Sequence, residues 1–194
     1  MQLEHPFRRA TPDDAEALAE LVNFAGEGLP LHLWERMAEP GESAWEVGRR
    51  RARREEGSFS WRNAVVAAPA ERPIACLIGY PLPDAPEPID HDRMPAMFVP
   101  LQELENLVPG TWYVNVLATY PEHRGRGWGT KLLWLAETLA AACGRPRTSV
   151  IVSDANARAS RLYERTGYGE RATRPMVKDR WQNAGERWVL LAKS

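Results

Sequence analysis

The sequence lacks the features that mark several large classes of protein. No apolar run approaches the roughly 18 residues of a membrane-spanning helix, and the N-terminal stretch MQLEHPFRRA lacks the apolar core of a signal peptide. The four histidines are scattered, without the spacing of metal ligands. These absences predict a cytoplasmic protein without a structural metal.

Cysteine and net charge are also scarce. Cys76 and Cys143 each lie in an apolar run, so we expect two buried thiols, no disulfide framework and a reducing compartment. With 25 basic and 26 acidic residues, the net charge of -1 gives no overall attraction to nucleic acid or membrane. A run of arginines between Arg49 and Arg54 could attract acidic partners, but the neighbouring glutamates favour a solvated helix face. We expect neither nucleic acid nor membrane as a partner.

The length of 194 residues and the order of local patterns predict one domain over residues 1–194. Apolar and β-branched runs predict strands at about 5–9, 60–68, 73–80, 112–117 and 148–152, with a strand pair from Tyr168 onward. Helical spacing predicts helices at about 12–25, 31–38, 43–56, 100–107, 132–143 and 156–165. The proline-rich residues 81–110 are interpreted as an insertion, and a lid, an oligomer contact and a plain surface loop all stay open.

A glycine-rich turn joins a strand-like run to a helix-like run within Thr111 to Leu133. The strand-like run ends at Pro121, and the glycine turn, Arg124 to Gly129, leads into apolar residues at helical spacing. Glycines let a backbone turn tightly with its N–H groups pointing inward, and the following helix adds unpaired N–H donors and the positive end of its dipole. Such a turn suits a pyrophosphate, although a glycine-rich turn can also be structural only.

Known phosphate motifs differ in how well they fit this turn. A Walker A loop needs Gly-Lys-Ser/Thr, whereas this chain has Gly129, Thr130 and Lys131. A dinucleotide fingerprint needs G-x-G-x-x-G, and the glycines here follow G-x-G-x-G. The pattern that does match is R-x-x-G-x-G, formed by Arg124, Gly127 and Gly129.

A second block, Ser153 to Tyr168, follows about 30 residues after the glycine turn. It reads SDANARASRLYERTGY, with asparagine, alanine, Leu-Tyr-Glu-Arg and Gly-Tyr at fixed spacing. Asn156, Ser160 and Tyr163 stand at i, i+4 and i+7 and therefore share one helix face. Asn156 as a plain helix cap and Tyr163 as core is the alternative interpretation.

Together the two motifs make residues 112 to 168 resemble the GNAT superfamily of N-acetyltransferases. The resemblance implies that the glycine turn binds the pyrophosphate of acetyl-CoA, and that backbone N–H groups near Leu117 to Thr119 bind its pantetheine arm and polarise the thioester. The residues expected to contact acetyl-CoA are Leu117, Ala118, Thr119, Arg124, Gly125, Arg126, Gly127, Trp128, Gly129, Thr130, Asn156 and Ser160.

Acetyl transfer to an amine needs an uncharged amine, a stabilised oxyanion and a proton for the departing thiolate. Tyr163 suits the last role because a phenol, with a pKa near 10, and an alkyl thiol titrate close together; the resemblance implies the same role. The base is less defined, because the coenzyme strand offers only Asn115, which cannot take a proton. A remote carboxylate acting through water, Glu103, Glu105 or Asp92, and a reaction without a dedicated base both stay open.

The sequence as a whole predicts an α/β (α+β), GNAT-like fold with a mixed, mostly antiparallel sheet of about seven strands flanked by helices. We expect an N-acetyltransferase that moves the acetyl group of acetyl-CoA to a primary amine by direct transfer in a ternary complex, since both cysteines are expected to be buried. A non-catalytic acetyl-CoA sensor and an arginine-based nucleic-acid module are the alternatives. The acceptor amine and a homodimer both stay open.

Overall fold

The computed structural model describes residues 3–193, which form seven strands and six α-helices. The strands are β1 Phe7–Arg9, β2 Ala64–Ala67, β3 Ala75–Pro81, β4 Trp112–Thr119, β5 Thr148–Ser153, β6 Gly169–Pro175 and β7 Arg187–Lys193. The helices are α1 Ala15–Ala25, α2 Leu29–Met37, α3 Ala44–Ala52, α4 Val99–Glu105, α5 Trp128–Ala142 and α6 Ala157–Arg165. Between residues 3 and 193, no helix is both long and apolar enough to cross a membrane.

The strands are hydrogen-bonded in the order β1-β2-β3-β4-β5-β7-β6. The β1–β2, β2–β3, β5–β7 and β6–β7 pairs are antiparallel, whereas β4 and β5 run parallel with Trp112 opposite Thr148 and Val114 opposite Val150. The predicted fold class, a mixed and mostly antiparallel sheet of seven strands with helices, is therefore confirmed. The predicted domain over 1–194 with an insertion at 81–110 stays a prediction.

The chain clusters into two compact units, of which the first runs to Gly79 and includes Asn115–Leu132. Its core centres on Trp34, whose ring stacks on Phe59 at a centroid distance of 5.9 Å and lies edge-on to Trp45 at 6.0 Å. Helix α3 packs closely against this ring, since a Cβ added to Gly48 would lie 2.5 Å from it. The predicted cap at Thr11 is present as a capping box with Asp14.

The second unit comprises Tyr80–Val114 and the chain from Leu133 onward. Helix α4 packs on β6 and β7, and Leu104 is fully buried in a cluster with Tyr113 and Leu190. The segment before α4 is tied down by Asn106, which donates to the Glu87 carbonyl at 2.8 Å and accepts from its N–H at 2.9 Å. The short helix predicted at 100–107 is thus an ordered part of this unit.

Three local predictions differ from the structure. Residues 61–63 form a 3₁₀ turn rather than the start of β2, and α3 ends at Ala52 rather than Glu56. The prediction of two buried thiols is wrong for Cys143, which is exposed, whereas Cys76 is fully buried. The Cys143 N–H still bonds the Leu139 carbonyl at 3.1 Å, so the helical path continues to Cys143, but at this end of α5 the position is open to solvent.

The start of β4 is attached to β5 by a buried pair of hydroxyl groups in the second unit. Thr111 Oγ1 lies 2.7 Å from Ser149 Oγ and donates to the Val108 carbonyl at 2.9 Å. Both side chains are almost fully buried, so a hydroxyl that loses its partner here pays the full cost of desolvation.

We predict that Thr111→Val lowers the free energy of unfolding by about 1–3 kcal/mol, because it leaves the Ser149 hydroxyl without a partner. The double variant Thr111→Val with Ser149→Ala should lose less than the sum of the two single losses. Urea denaturation of the four proteins measures this coupling. Additive losses would show that the two hydroxyls are energetically independent.

Candidate active site

The glycine turn follows β4 in the first unit and leads directly into α5. Gly125 and Gly127 have φ angles of 78° and 81°, a left-handed conformation that favours glycine, and a Cβ at either position would meet nothing within 4 Å. The Lys131 N–H bonds the Gly127 carbonyl at 3.1 Å, so the helical bonding of α5 starts at Gly127. The N–H groups of its first turn, including those of Gly129 and Thr130, have no partner within the helix. The turn therefore offers backbone donors beside open space.

Trp128 fixes the junction between the glycine turn and α5. Its ring lies edge-on to Phe7 at 6.2 Å, and Lys131 Nζ lies 4.9 Å from the ring centroid. Its indole N–H is buried and donates to no group among residues 3–193. Phe7 and Lys131 thus hold the Trp128 ring in place, while its indole N–H has no acceptor among the described residues.

Arg124 closes the turn onto the end of β4. Its Nε donates to the Thr119 carbonyl at 3.0 Å, and its guanidinium carbon lies 5.8 Å from the Phe24 ring centroid. Phe24 in turn lies edge-on to Tyr120 at 6.0 Å, and the Tyr120 hydroxyl donates to Glu20. Arg124 therefore has a structural role in the turn. The contact with acetyl-CoA that the sequence predicted for it stays a prediction. Arg126 is exposed.

The end of β4 presents two different faces. Val116 and Ala118 are buried in the core of the first unit, whereas Asn115, Leu117 and Thr119 are half-buried on the opposite face. Ala118 could therefore contact a ligand only through its backbone. The half-buried face is where the predicted contacts of Leu117 and Thr119 would be made.

The predicted Asn156, Ser160 and Tyr163 lie at the start and along one face of α6, in the second unit. Asn156 caps the helix by accepting the Ala159 N–H at 3.1 Å, and its own carbonyl accepts the Ser160 N–H at 3.0 Å. Asn156 is therefore a helix cap, as the alternative interpretation of the sequence predicted. Whether the α6 face meets Leu117 to Thr119, which lie in the other unit, stays a prediction.

Tyr163 is 5% exposed and its ring packs against Tyr168, with centroids 5.6 Å apart. Burial, followed by the nearby Tyr168, raises the pKa of Tyr163 well above that of a free phenol. Burial acts on thiols in the same direction, because it raises the pKa of Cys76 to about 12. A thiolate formed in a buried setting would thus be a stronger base than in water, which keeps proton transfer from Tyr163 feasible.

The loop between β6 and β7 packs against the start of the α6 block. The Glu186 N–H donates to Asp154 Oδ1 at 2.9 Å, and the Asp154 N–H donates to the Arg187 carbonyl at 3.0 Å. Gly185 is buried so closely that an added Cβ would lie 2.8 Å from Asp154 Oδ1 and closer still to Ser153 Oγ. These contacts hold the chain just before Asn156.

The three carboxylates that the sequence left as candidate bases have different surroundings. Glu103 is ion-paired with Arg174 at 2.5 Å, and Asp92 is exposed. Glu105 is half-buried, and burial together with the nearby Glu87 raises its pKa to about 7. Asn115 carries no proton-accepting group. Glu105 therefore titrates near neutrality.

The second unit also contains two tyrosines, Tyr80 and Tyr113, that the sequence analysis did not propose as site residues. Tyr113 is buried, and its ring lies edge-on to Tyr80 with centroids 5.8 Å apart. Burial, and then Glu105, Tyr80 and Tyr163, raise the pKa of Tyr113 well above its ordinary value. No sequence signal marks this cluster, because its members come from β3, α4, β4 and α6.

A family model described as the acetyltransferase (GNAT) family matches residues 30–168, which is more than half of the chain. The match contains both the glycine turn and the α6 block. No curated protein matches the chain.

The structure is similar to several solved structures. One is an N-acetyltransferase from Staphylococcus aureus Mu50, with a TM-score of 0.63 and 16% identity over 96% of this chain and 99% of that one. Another is a mosquito arylalkylamine N-acetyltransferase like 5b, with a TM-score of 0.63 and 15% identity over 96% and 98% of the chains. A third, a GNAT family acetyltransferase from Elizabethkingia anophelis with acetyl-CoA bound, has a TM-score of 0.50 and 16% identity over 68% and 74%. At these identities the likeness shows the fold.

We predict that Gly185→Ala lowers the free energy of unfolding by about 1–3 kcal/mol, because the new methyl group overlaps Ser153 and Asp154. Gly169→Ala is the matched control, since a Cβ there would meet nothing within 4 Å. Thermal or urea denaturation of both variants checks this. Equal stability of the two would mean that the β6–β7 loop does not pack tightly against the α6 block.

Proposed function

Because the chain belongs to the GNAT family of acetyltransferases, we propose that it transfers the acetyl group of acetyl-CoA to a primary amine, directly within a ternary complex. The family uses acetyl-CoA, and the Elizabethkingia anophelis structure contains it. The proposal adds the acceptor class, the direct route and the roles of individual residues to the acetyl transfer that the family implies.

The observation that carries the proposal is the glycine turn. Gly125 and Gly127 leave the backbone open to a close approach, and α5 starts directly behind them with unpaired N–H donors. An anionic pyrophosphate fits this arrangement because the donors and the helix dipole both favour negative charge. Gly127, Gly129 and Thr130 would bind it through their backbone N–H groups.

Tyr163 would give a proton to the departing thiolate of coenzyme A. Its buried position keeps the phenol protonated at physiological pH, so the acid is present in the form that the step needs. The Tyr168 ring and the α6 backbone hold the side chain in place. A positioned acid of this kind typically contributes about 10²–10⁴-fold to a rate.

Direct transfer is supported by the surroundings of the two thiols. Cys76 is fully buried and its raised pKa leaves almost no thiolate at neutral pH, so it is a poor nucleophile. Cys143 is exposed but follows the C-terminal end of α5. The 15 residues of that helix separate it from the glycine turn by about 22 Å along the axis.

A primary amine as acceptor is supported by two similar structures that are named N-acetyltransferases. The run of arginines between Arg49 and Arg54 does not need an acidic partner, because two of its members already have partners. Arg50 donates to both carboxylate oxygens of Glu42 at 3.1 Å, and Arg54 donates to the Phe59 carbonyl at 3.2 Å. These contacts favour the structural interpretation of the run.

We predict that Gly127→Ala weakens acetyl-CoA binding by at least about tenfold, because a methyl group would enter the open space that a phosphate needs. Gly144→Ala is the matched control. Gly144 has a φ of 71° and equally open surroundings, so it carries the same backbone strain at the other end of α5. Calorimetric titration with acetyl-CoA measures both affinities.

The control should bind like the unmodified protein while losing a similar amount of stability. Equal affinity for all three proteins would mean that the glycine turn does not bind the cosubstrate. No binding by the unmodified protein would overturn the proposed function.

We predict that Tyr163→Phe lowers kcat by about 10²-fold or more, while the affinity for acetyl-CoA stays within about threefold. The phenyl ring keeps the packing against Tyr168, and the substitution removes only the hydroxyl group that would donate the proton. Steady-state rates at saturating acetyl-CoA, with a panel of primary amines, give kcat. An unchanged kcat would exclude Tyr163 as the acid, and turnover of any amine by the unmodified protein would exclude a non-catalytic sensor.

A further inference from the structure

Phe24, near the C-terminal end of α1, is a large apolar side chain that the core of the first unit does not fully cover. It is 42% exposed. Two contacts nevertheless fix its ring, because the guanidinium carbon of Arg124 lies over it at 5.8 Å from the centroid, and Tyr120 lies edge-on to it at 6.0 Å. The ring of Phe24 therefore joins α1 to a cation of the glycine turn.

Tyr120, directly after β4, holds this part of α1 in place. It is buried, and its hydroxyl donates to Glu20, one helical turn before Phe24. Arg72 contacts the same two residues, with Nη2 3.5 Å from a Glu20 carboxylate oxygen and its guanidinium carbon 5.8 Å from the Tyr120 ring centroid. Glu20 and Phe24 stand at i and i+4 and share one helix face. The Phe24 ring is thus supported by groups that are themselves bonded.

The guanidinium of Arg124 is held at one nitrogen and by one aromatic ring. Nε donates to the Thr119 carbonyl at 3.0 Å, and Phe24 makes the cation–π contact. Within residues 3–193, the two terminal nitrogens of Arg124 donate to no group. A guanidinium binds a phosphate through such N–H groups, often two at once. Arg124 therefore keeps donors for an anion while the rest of its guanidinium is engaged.

Arg126, two residues later in the same turn, lacks this support. It is exposed, and among the residues that the structure describes it makes no hydrogen bond, ion pair or aromatic contact. A free arginine side chain loses rotamer freedom when it binds an anion, whereas one that is already fixed loses less. The two arginines therefore differ in preorganisation, although they carry the same charge and lie in one turn.

We propose that Phe24 is a positioning residue for the cosubstrate, which holds the Arg124 guanidinium in the orientation that binds the pyrophosphate of acetyl-CoA. This role rests on the proposed function and adds a residue of α1 to the site. Phe24 acts through Arg124 and takes no part in the chemistry at the thioester. Its effect should therefore appear in the affinity for acetyl-CoA rather than in the maximal rate.

The test is a double-variant cycle measured by calorimetric titration with acetyl-CoA. Phe24→Leu should weaken binding by about three- to tenfold, because it removes the cation–π contact and the preorganisation of Arg124. Phe24→Tyr keeps the ring and should restore the affinity of the unmodified protein. Phe24→Leu should have no further effect in the Arg124→Met background, whereas it should keep its full effect in the Arg126→Met background.

A merely structural role of Phe24 predicts a different pattern. Loosened packing of α1 would weaken binding by the same factor in both arginine backgrounds. Met37→Leu is the matched control, since Met37 is 44% exposed in the same unit, and it should bind acetyl-CoA like the unmodified protein. In steady-state kinetics, Phe24→Leu should raise the KM for acetyl-CoA while kcat stays within about twofold.

Three results would overturn this role alone. The first is equal acetyl-CoA affinity of Phe24→Leu and the unmodified protein, and the second is unchanged affinity of Arg124→Met. The third is an effect of Phe24→Leu that persists undiminished in the Arg124→Met background, because Phe24 would then not act through Arg124. No binding of acetyl-CoA by the unmodified protein would overturn the proposed function and this role with it.

Discussion

The left-handed backbone of Gly125 and Gly127 is the constraint on which the proposed chemistry depends. A side chain at either φ angle is strained, and a Cβ there would occupy the open space that the proposed pyrophosphate needs beside the backbone donors. The same turn sets where α5 begins and therefore where its unpaired N–H groups point. Arg124 reinforces the arrangement by bonding back to Thr119 at the end of β4. In the proposed function, strand, turn and helix together bind the negative charge of the pyrophosphate.

Burial is the second physical factor, and it acts on several groups in the same direction. It raises the pKa of Tyr163, Tyr113 and Cys76, and it contributes most to the raised pKa of Glu105. The effect of burial on the charge at neutral pH differs among these groups, because their ordinary pKa values differ. Phenols and thiols that start near 9 or 10 stay protonated throughout the physiological range, whereas a carboxyl that starts near 4.5 is moved into it.

The sequence predicted those features that depend on neighbours in the chain. Helix and strand positions follow from apolar periodicity, and the glycine turn and the α6 block were visible because each is a contiguous motif. Cys143 was misjudged because periodicity assigns a residue to a helix face but does not show whether other elements cover that face at the end of α5. The raised pKa of Glu105 could not be predicted, since it depends on burial and on Glu87, which lies 18 residues earlier in the chain. Local motifs therefore predicted the cosubstrate, and only tertiary structure separated Glu105 from Glu103 and Asp92.

Acid and base roles can be assigned where the surroundings push the pKa values of two groups apart. Burial separates the pKa values of Tyr163 and Glu105, because it keeps the phenol protonated while the carboxyl titrates near pH 7. Glu103, two residues earlier on the same helix, differs from Glu105 because its carboxylate is ion-paired with Arg174 at 2.5 Å.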